Sequence, residues 1–209
     1  MMILFRLAAV LAVALLLTGP APTQAADIGG PFALVDHHGN RVTHESYDDK
    51  YLLVFFGYTY CPDVCPTELL VFGDTLDALG DQAARVQALF ITVDPERDTP
   101  DKLAEYLANF HPDLIGLTGT TAEIAEAARA YRVFFRKSPT EGEEDEEAAN
   151  ADTQAYLVDH TSIVYLMDPD GEFVRHFVFG QGAETLAGEI EKILDADYAG
   201  KPAFSRPST

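Results

Sequence analysis

The chain has only two cysteines, Cys61 and Cys65, and they are its residues best suited to chemistry. They lie in the segment GYTYCPDVCP, residues 57–66, directly after a continuous apolar run. Residues four apart in a helical turn lie on the same face, so the two thiols are expected side by side. Because Pro66 fits only the first turn of a helix, Cys65 is predicted near the N-cap and Cys61 in the turn before it. The partial positive charge at a helix N-terminus favours the thiolate there.

The spacing of the two thiols is compatible with a disulfide and with a bound metal ion. Helical neighbours four apart have Cβ atoms about 5–6 Å apart, whereas a disulfide needs about 3.5–4.5 Å, so the turn must tighten on oxidation. A metal ion about 2.3 Å from each sulfur lets the sulfurs stand roughly 4 Å apart. The pair is therefore predicted to bind metal when reduced and to form the Cys61–Cys65 disulfide when oxidised. A purely stabilising disulfide, which would close a very short loop, is the alternative.

A third ligand is sought among six histidines, and His160 is the best candidate. It lies in the sequence VDHT, residues 158–161, between an acidic segment and a predicted buried strand. Hydrogen bonding at a strand edge is its alternative role. Two thiolates and one imidazole form a soft donor set that suits Cu(I), and imidazole also accepts Cu(II). Zinc with a water as fourth ligand is the competing metal.

Buried strands that alternate with helices are predicted to position the cysteines. The apolar runs at 51–57 and 86–93 predict strands buried on both faces, and the helical spacing of apolar residues over 66–79 joins them as a right-handed βαβ unit. The sequence therefore predicts an α/β protein with a thioredoxin-like fold, in which helices cover a mixed central sheet. The other predicted elements are strands near 32–35, 114–117, 161–167 and 172–179, the last two forming a C-terminal β-hairpin, and helices over 100–110, 120–131 and 183–196.

The two ends of the chain are predicted to lie outside this domain. Residues 1–25 have one Arg followed by an apolar run and a break with small residues, which is the layout of a cleaved signal peptide, with an uncleaved membrane anchor as the alternative. The thioredoxin-like, metal-binding domain is expected over 26–197 and a flexible tail over 198–209. Export would place the cysteines in an oxidising compartment such as the periplasm.

Composition limits the class of partner. The formal net charge of −20 excludes a nucleic-acid backbone as the default partner, and 47% apolar residues exclude a disordered chain. Six acids fall within residues 141–147, and such a block is predicted to form a solvated surface loop.

Four segments together are specific enough to indicate a family. They are residues 30–36 (GPFALVD), 56–66 (FGYTYCPDVCP), 93–100 (VDPERDTP) and 158–161 (VDHT). In this order and spacing the chain resembles the Sco/SenC family of copper-binding cytochrome c oxidase assembly proteins. The resemblance implies that Cys61, Cys65 and His160 bind copper, as Cu(I) or Cu(II).

The resemblance also implies a task and partners. Members of the family help to build the dinuclear copper (CuA) centre of cytochrome c oxidase subunit II, by delivering copper or by reducing the cysteines of the target. A second periplasmic copper donor protein or a thioredoxin-like reductant is the further partner that this implies. The chain is thus expected to act as a metallochaperone rather than as an enzyme.

Three other functions are compatible with the same residues. A thiol–disulfide oxidoreductase without a metal would use the cysteines alone, although its usual motif is one residue shorter. A peroxidase is suggested by the run CPTE at 65–68, but Pro62 stands where peroxiredoxins have a threonine. A passive copper buffer would have the same site without transfer. The segment 93–100 is interpreted mainly as a strand end and a helix cap.

Overall fold

The computed structural model describes residues 28–47, 49–139 and 156–200. The strands are β1 (Ala33–Asp36), β2 (Arg41–Thr43), β3 (Tyr51–Gly57), β4 (Val86–Thr92), β5 (Leu114–Thr118), β6 (Phe135–Pro139), β7 (Tyr156–His160), β8 (Ile163–Met167) and β9 (Phe173–Val178). The α-helices are α1 (Val64–Leu79), α2 (Pro100–Leu107), α3 (Thr121–Ala130) and α4 (Ala183–Gly200), and short 3-10 turns occupy His44–Tyr47 and Gly80–Arg85.

Seven strands form the central sheet in the order β2-β1-β5-β4-β3-β8-β9. Strands β3, β4 and β5 run parallel, while β1, β2, β8 and β9 join by antiparallel pairing. Every residue of β3 is buried, because helices cover both faces of a parallel sheet and leave no solvated side. The mixed sheet, the C-terminal hairpin of β8 and β9, and the terminal helix confirm the predicted α/β class and thioredoxin-like plan.

Local sequence signals explain where the helices begin. Pro100 occupies the first turn of α2 after the N-cap Thr99, and Thr120 and Glu123 form a capping box at the start of α3. Helix α1 buries Leu69, Phe72 and Leu76 and packs against α4. The ring of Phe72 also packs on Phe55 of β3, and this contact fixes α1, and with it the cysteine segment, against that strand.

Three strands were not expected from the sequence. Besides the short β2, residues 135–139 and 156–160 form a separate antiparallel ribbon of β6 and β7, so His160 ends a strand of its own rather than preceding β8 directly. Helix α4 continues to Gly200, so the tail predicted from 198 begins within a helix. The predicted signal peptide at 1–25 and the acidic loop at 141–147 lie outside the described residues. Within the described part of the chain, no helix has both the length and the apolar character to span a membrane.

Candidate metal centre

The cysteine segment is the turn between β3 and α1. Cys65 is the second residue of α1, and Cys61 lies in the preceding turn, where its N–H donates to the Tyr58 carbonyl at 3.2 Å. The N–H of Cys65 donates to the Cys61 sulfur at 3.4 Å, so the first turn of the helix closes on the other thiol. Both thiols are free; Cys65 is fully buried and Cys61 is half-buried. The placement at the helix N-terminus is as predicted.

Gly57 lets the Cys65 sulfur approach the end of β3. A Cβ atom at this position would lie 2.7 Å from the Cys65 sulfur and 2.7 Å from the ring of Phe90, both far inside van der Waals contact. Glycine is therefore required here by close approach rather than by its backbone angles.

His160 reaches the cysteines from the end of β7, 95 residues further along the chain. Its Nε2 lies 3.5 Å from the Cys65 sulfur, and the two sulfurs and this nitrogen all lie within 4.8 Å of one another. Its Nδ1 lies 3.1 Å from the Thr161 carbonyl oxygen, which can only accept a hydrogen bond. In the tautomer that carries its proton on Nδ1, this nitrogen donates to the Thr161 carbonyl, and the Nε2 lone pair faces the cysteines and can bind a metal ion.

The three atoms fit a soft metal ion. In a trigonal arrangement with metal–ligand distances of about 2.0–2.3 Å, the ligand atoms stand roughly 4 Å apart. The 3.5 Å between the Cys65 sulfur and the His160 Nε2, and the limit of 4.8 Å within which all three atoms lie, are compatible with that value. Small side-chain rotations therefore suffice to close the group on an ion. Within the ranges that the structure describes, this is the group of His, Cys, Asp and Glu side chains arranged to hold a metal.

The two thiols have opposite pKa shifts. The pKa of Cys61 is lowered to about 4, mainly because Cys65 donates a hydrogen bond to its sulfur, with further help from His160. The pKa of Cys65 is raised by that same hydrogen bond and by burial. Hence the first proton leaves Cys61, and the pair offers one thiolate at neutral pH to a metal or to a disulfide.

Asp98 anchors the cysteine turn, a role that the sequence did not reveal. The carboxylate is fully buried and accepts the Thr59 N–H at 3.0 Å, the Thr59 hydroxyl at 2.6 Å and the Thr92 hydroxyl at 2.6 Å. Burial raises the pKa of Asp98, and these three donors lower it again. Asp98 thus connects Thr59, two residues before Cys61, to Thr92 at the end of β4.

Arg97 also contacts the site, from a buried position behind it. Its guanidinium lies over the rings of Tyr58, Tyr60 and Tyr156, at 5.8, 4.5 and 3.7 Å from their centroids. It pairs with Asp94 and donates to the Tyr156 carbonyl at 3.0 Å, while the Tyr156 hydroxyl donates to Asp94 at 2.7 Å. The sequence hinted at this role of Asp94 and Arg97 only through their position between a buried strand and a helix cap.

The other histidines have roles away from the cysteines. His37 accepts the Gly116 N–H at 3.0 Å, and His111 accepts the N–H of Asp113 at 3.2 Å. His176 is exposed on β9.

The buried carboxyl of Glu68 gives a prediction about pH and stability. Glu68 lies in α1 one turn after Cys65, is 2% exposed, and has no hydrogen-bond partner among the described residues. Burial raises its pKa from 4.5 to about 7. A raised folded-state pKa makes stability highest below pH 4.5 and lowers it as pH rises through 7. In the wild type, ionisation of Glu68 is expected to lower the free energy of unfolding by about 2–3 kcal/mol between pH 5 and pH 8, and Glu68→Gln is expected to abolish this decrease.

The measurement is urea unfolding of the reduced, metal-free protein at several pH values. Glu126→Gln is the matched control, because Glu126 is exposed on α3. A stability difference between wild type and Glu68→Gln that stays constant from pH 5 to pH 8 would contradict the prediction.

Comparison with known proteins defines the family. The SCO1/SenC family model matches residues 20–195. The human protein named "Protein SCO1 homolog, mitochondrial" is 43% identical over 165 residues, which cover 78% of this chain and 50% of the human protein. The chain belongs to the SCO1/SenC family. The resemblance inferred from the four sequence segments is thereby confirmed.

Solved structures of the SCO1/SenC family have the same fold. The copper-bound ScoI of Arabidopsis thaliana superposes with a TM-score of 0.71 at 39% identity, covering 81% of this chain and 99% of that one. The copper-bound ScoI of Bradyrhizobium japonicum gives a TM-score of 0.69 at 46% identity, covering 79% and 98%. By contrast, the chain spans about half the length of the full-length human SCO1 homolog.

Proposed function

We propose that this SCO1/SenC protein is a copper metallochaperone that holds copper through Cys61, Cys65 and His160. It would use that copper to help assemble the CuA centre of cytochrome c oxidase subunit II. The convergence of two sulfurs and one imidazole nitrogen within 4.8 Å is the observation that carries the proposal. A donor set of this softness favours copper over zinc, and two related structures, at 39% and 46% identity, are described as copper-bound.

The proposed location is the periplasm. The apolar, Arg-preceded start of the chain supports export, and an anchor in the inner membrane is the variant of this proposal. A periplasmic copper donor protein would load the site. A thioredoxin-like reductant would return an oxidised Cys61–Cys65 pair to the dithiol form.

Thiol–disulfide exchange is the second candidate function, favoured by the lowered pKa of Cys61. The Cys61 thiolate would attack a disulfide in the target and form a mixed disulfide. Cys65, after losing its proton, would then attack Cys61 and release the target as a dithiol, leaving the Cys61–Cys65 disulfide. Two electrons pass from the chain to the target, so this reaction would prepare the cysteines of subunit II for copper.

Copper titration followed by transfer tests the proposed function. The reduced full chain is titrated with Cu(I) under anaerobic conditions against a chromophoric chelator, with Zn(II) in a parallel titration. We expect one Cu(I) per chain and much weaker zinc binding. The copper-loaded chain is then mixed with the reduced apo copper domain of subunit II, the two proteins are separated, and the copper content of each is measured.

Transfer of copper to that domain supports the chaperone. Tight binding without transfer indicates a passive buffer, and reduction of an oxidised subunit II domain by the metal-free chain, with no copper binding, indicates the oxidoreductase. Either of the last two results overturns the proposal.

A further inference from the structure

Among the strands that the structure describes, β7 pairs only with β6, in an antiparallel ribbon along one of its edges. No strand of the described residues pairs with its other edge, which faces the body of the protein. The alternating side chains of Tyr156, Val158 and His160 lie on the face of the ribbon turned toward the protein, whereas Leu157 and Asp159 are exposed. The N–H and C=O groups of such an edge need other partners.

Two side chains form hydrogen bonds with the backbone along this edge of β7. Arg97 donates to the carbonyl of Tyr156 at 3.0 Å, and the Tyr58 hydroxyl accepts the N–H of Val158 at 3.2 Å. These two hydrogen bonds lie four and two residues before His160, so they fix the part of β7 that leads to this histidine. The contact to Val158 is buried and is the nearer of the two.

Tyr58 also contacts the other parts of the site. Its carbonyl accepts the N–H of Cys61 at 3.2 Å, so it closes the cysteine turn. Its ring meets the His160 ring edge-on, with centroids 5.9 Å apart and planes at 88°. Phe55 packs on the same imidazole at 6.0 Å. Tyr58 is 2% exposed, so its own position is fixed by packing.

We propose that Tyr58 is a positioning residue that fixes His160 against the cysteine turn, by accepting the Val158 N–H and by packing on the imidazole. The inference rests on the proposed copper function, since it concerns the placement of the third ligand. Residues two apart on a strand are rigidly coupled, because both project from one side of an extended backbone. The hydroxyl of Tyr58 therefore sets how far the end of β7 stands from the sulfurs.

The substitution Tyr58→Phe isolates the hydroxyl. It keeps the aromatic ring and its contact with His160, but it leaves the buried N–H of Val158 without an acceptor, which is unfavourable. The edge of β7 is then free to move away and to solvate that N–H. Tyr131→Phe is the matched control, because Tyr131 is 1% exposed and packs on Phe56 and Tyr165, outside the metal centre.

The first measurement uses the metal-free protein and is independent of copper. Amide hydrogen exchange of Val158 is compared by NMR in wild type, Tyr58→Phe and Tyr131→Phe. We expect about tenfold faster exchange in Tyr58→Phe and no change in Tyr131→Phe. Unchanged exchange of Val158 in Tyr58→Phe overturns the proposal, because the hydroxyl then does not hold the strand.

The second measurement is a double-mutant cycle on Cu(I) affinity. Tyr58→Phe is expected to weaken copper binding about tenfold in the wild-type background and to have no effect in the His160→Ala background, because it acts through His160. An equal loss in both backgrounds, or no loss in either, overturns the proposal. If His160→Ala binds copper as tightly as the wild type, the assignment of His160 as a ligand is refuted instead. The exchange rate of the Val158 amide then decides alone whether Tyr58 holds β7.

Discussion

Replacing Cys65 by Ser is expected to abolish stoichiometric Cu(I) binding, and replacing His160 by Ala to weaken it by more than about 100-fold. Loss of a residue that merely supports a ligand costs about 10–100-fold in metal affinity, so loss of a ligand costs more. The Cys65 sulfur is buried and lies within reach of both other donors, and among the described residues no fourth His, Cys, Asp or Glu belongs to this group. Cys61→Ser is expected to behave like Cys65→Ser.

The measurement is the copper content of each reduced variant after chelator competition. His176→Ala is the control for His160→Ala, because His176 is an exposed histidine on β9 outside the site. Retention of one tightly bound copper in any of the three ligand variants contradicts the assignment of that residue. Circular dichroism of each variant establishes that a lost metal does not reflect a lost fold.

The sequence predicted the cysteine half of this site well because the relevant signals are local. The buried run of β3, the helical periodicity of α1 and the first-turn position of Pro66 are each set within a few residues. Together they place Cys61 and Cys65 at the carboxyl end of a parallel strand, which is where the structure has them.

The histidine half was less predictable because its support is non-local. The ribbon of β6 and β7 is two short strands flanking an acidic segment, and its inner edge is satisfied by side chains of Tyr58 and Arg97, from distant parts of the chain. No periodicity in residues 156–160 reports such contacts. The family resemblance, not the spacing of residues, implied that His160 reaches the cysteines.

The segment at 93–100 shows how one local signal can conceal another role. Its sequence was interpreted as a strand end and a helix cap, and Thr99 does cap α2. The preceding Asp98, however, turns inward and binds the cysteine turn, while Arg97 lies behind the tyrosines of the site. Asp and Thr can cap a helix at the surface or accept hydrogen bonds in a buried place, so the sequence does not distinguish the two roles.

Replacing Asp98 by Ala is expected to destabilise the protein by about 3–4 kcal/mol and to weaken copper binding as well. The change leaves the Thr59 N–H, the Thr59 hydroxyl and the Thr92 hydroxyl without their acceptor in a buried place. Each such loss costs about 1–3 kcal/mol, partly recovered when a hydroxyl turns to another acceptor. Removing the buried charge itself offsets part of the loss, because burial raises the pKa of Asp98 and so disfavours its ionised form.

Two further variants identify the cause of this effect. Asp98→Asn keeps one acceptor oxygen of the same shape and is expected to be destabilised by about half as much, because its amide group faces a hydroxyl that can turn to accept. Asp74→Ala, which removes an exposed acid from α1, is expected to change stability by less than about 0.5 kcal/mol. Urea unfolding of the reduced, metal-free proteins gives all three values. Equal stabilities of Asp98→Ala and Asp74→Ala would contradict the prediction. The position of the cysteine turn would then depend on packing and on the backbone hydrogen bond from Cys61 to Tyr58, not on the carboxylate.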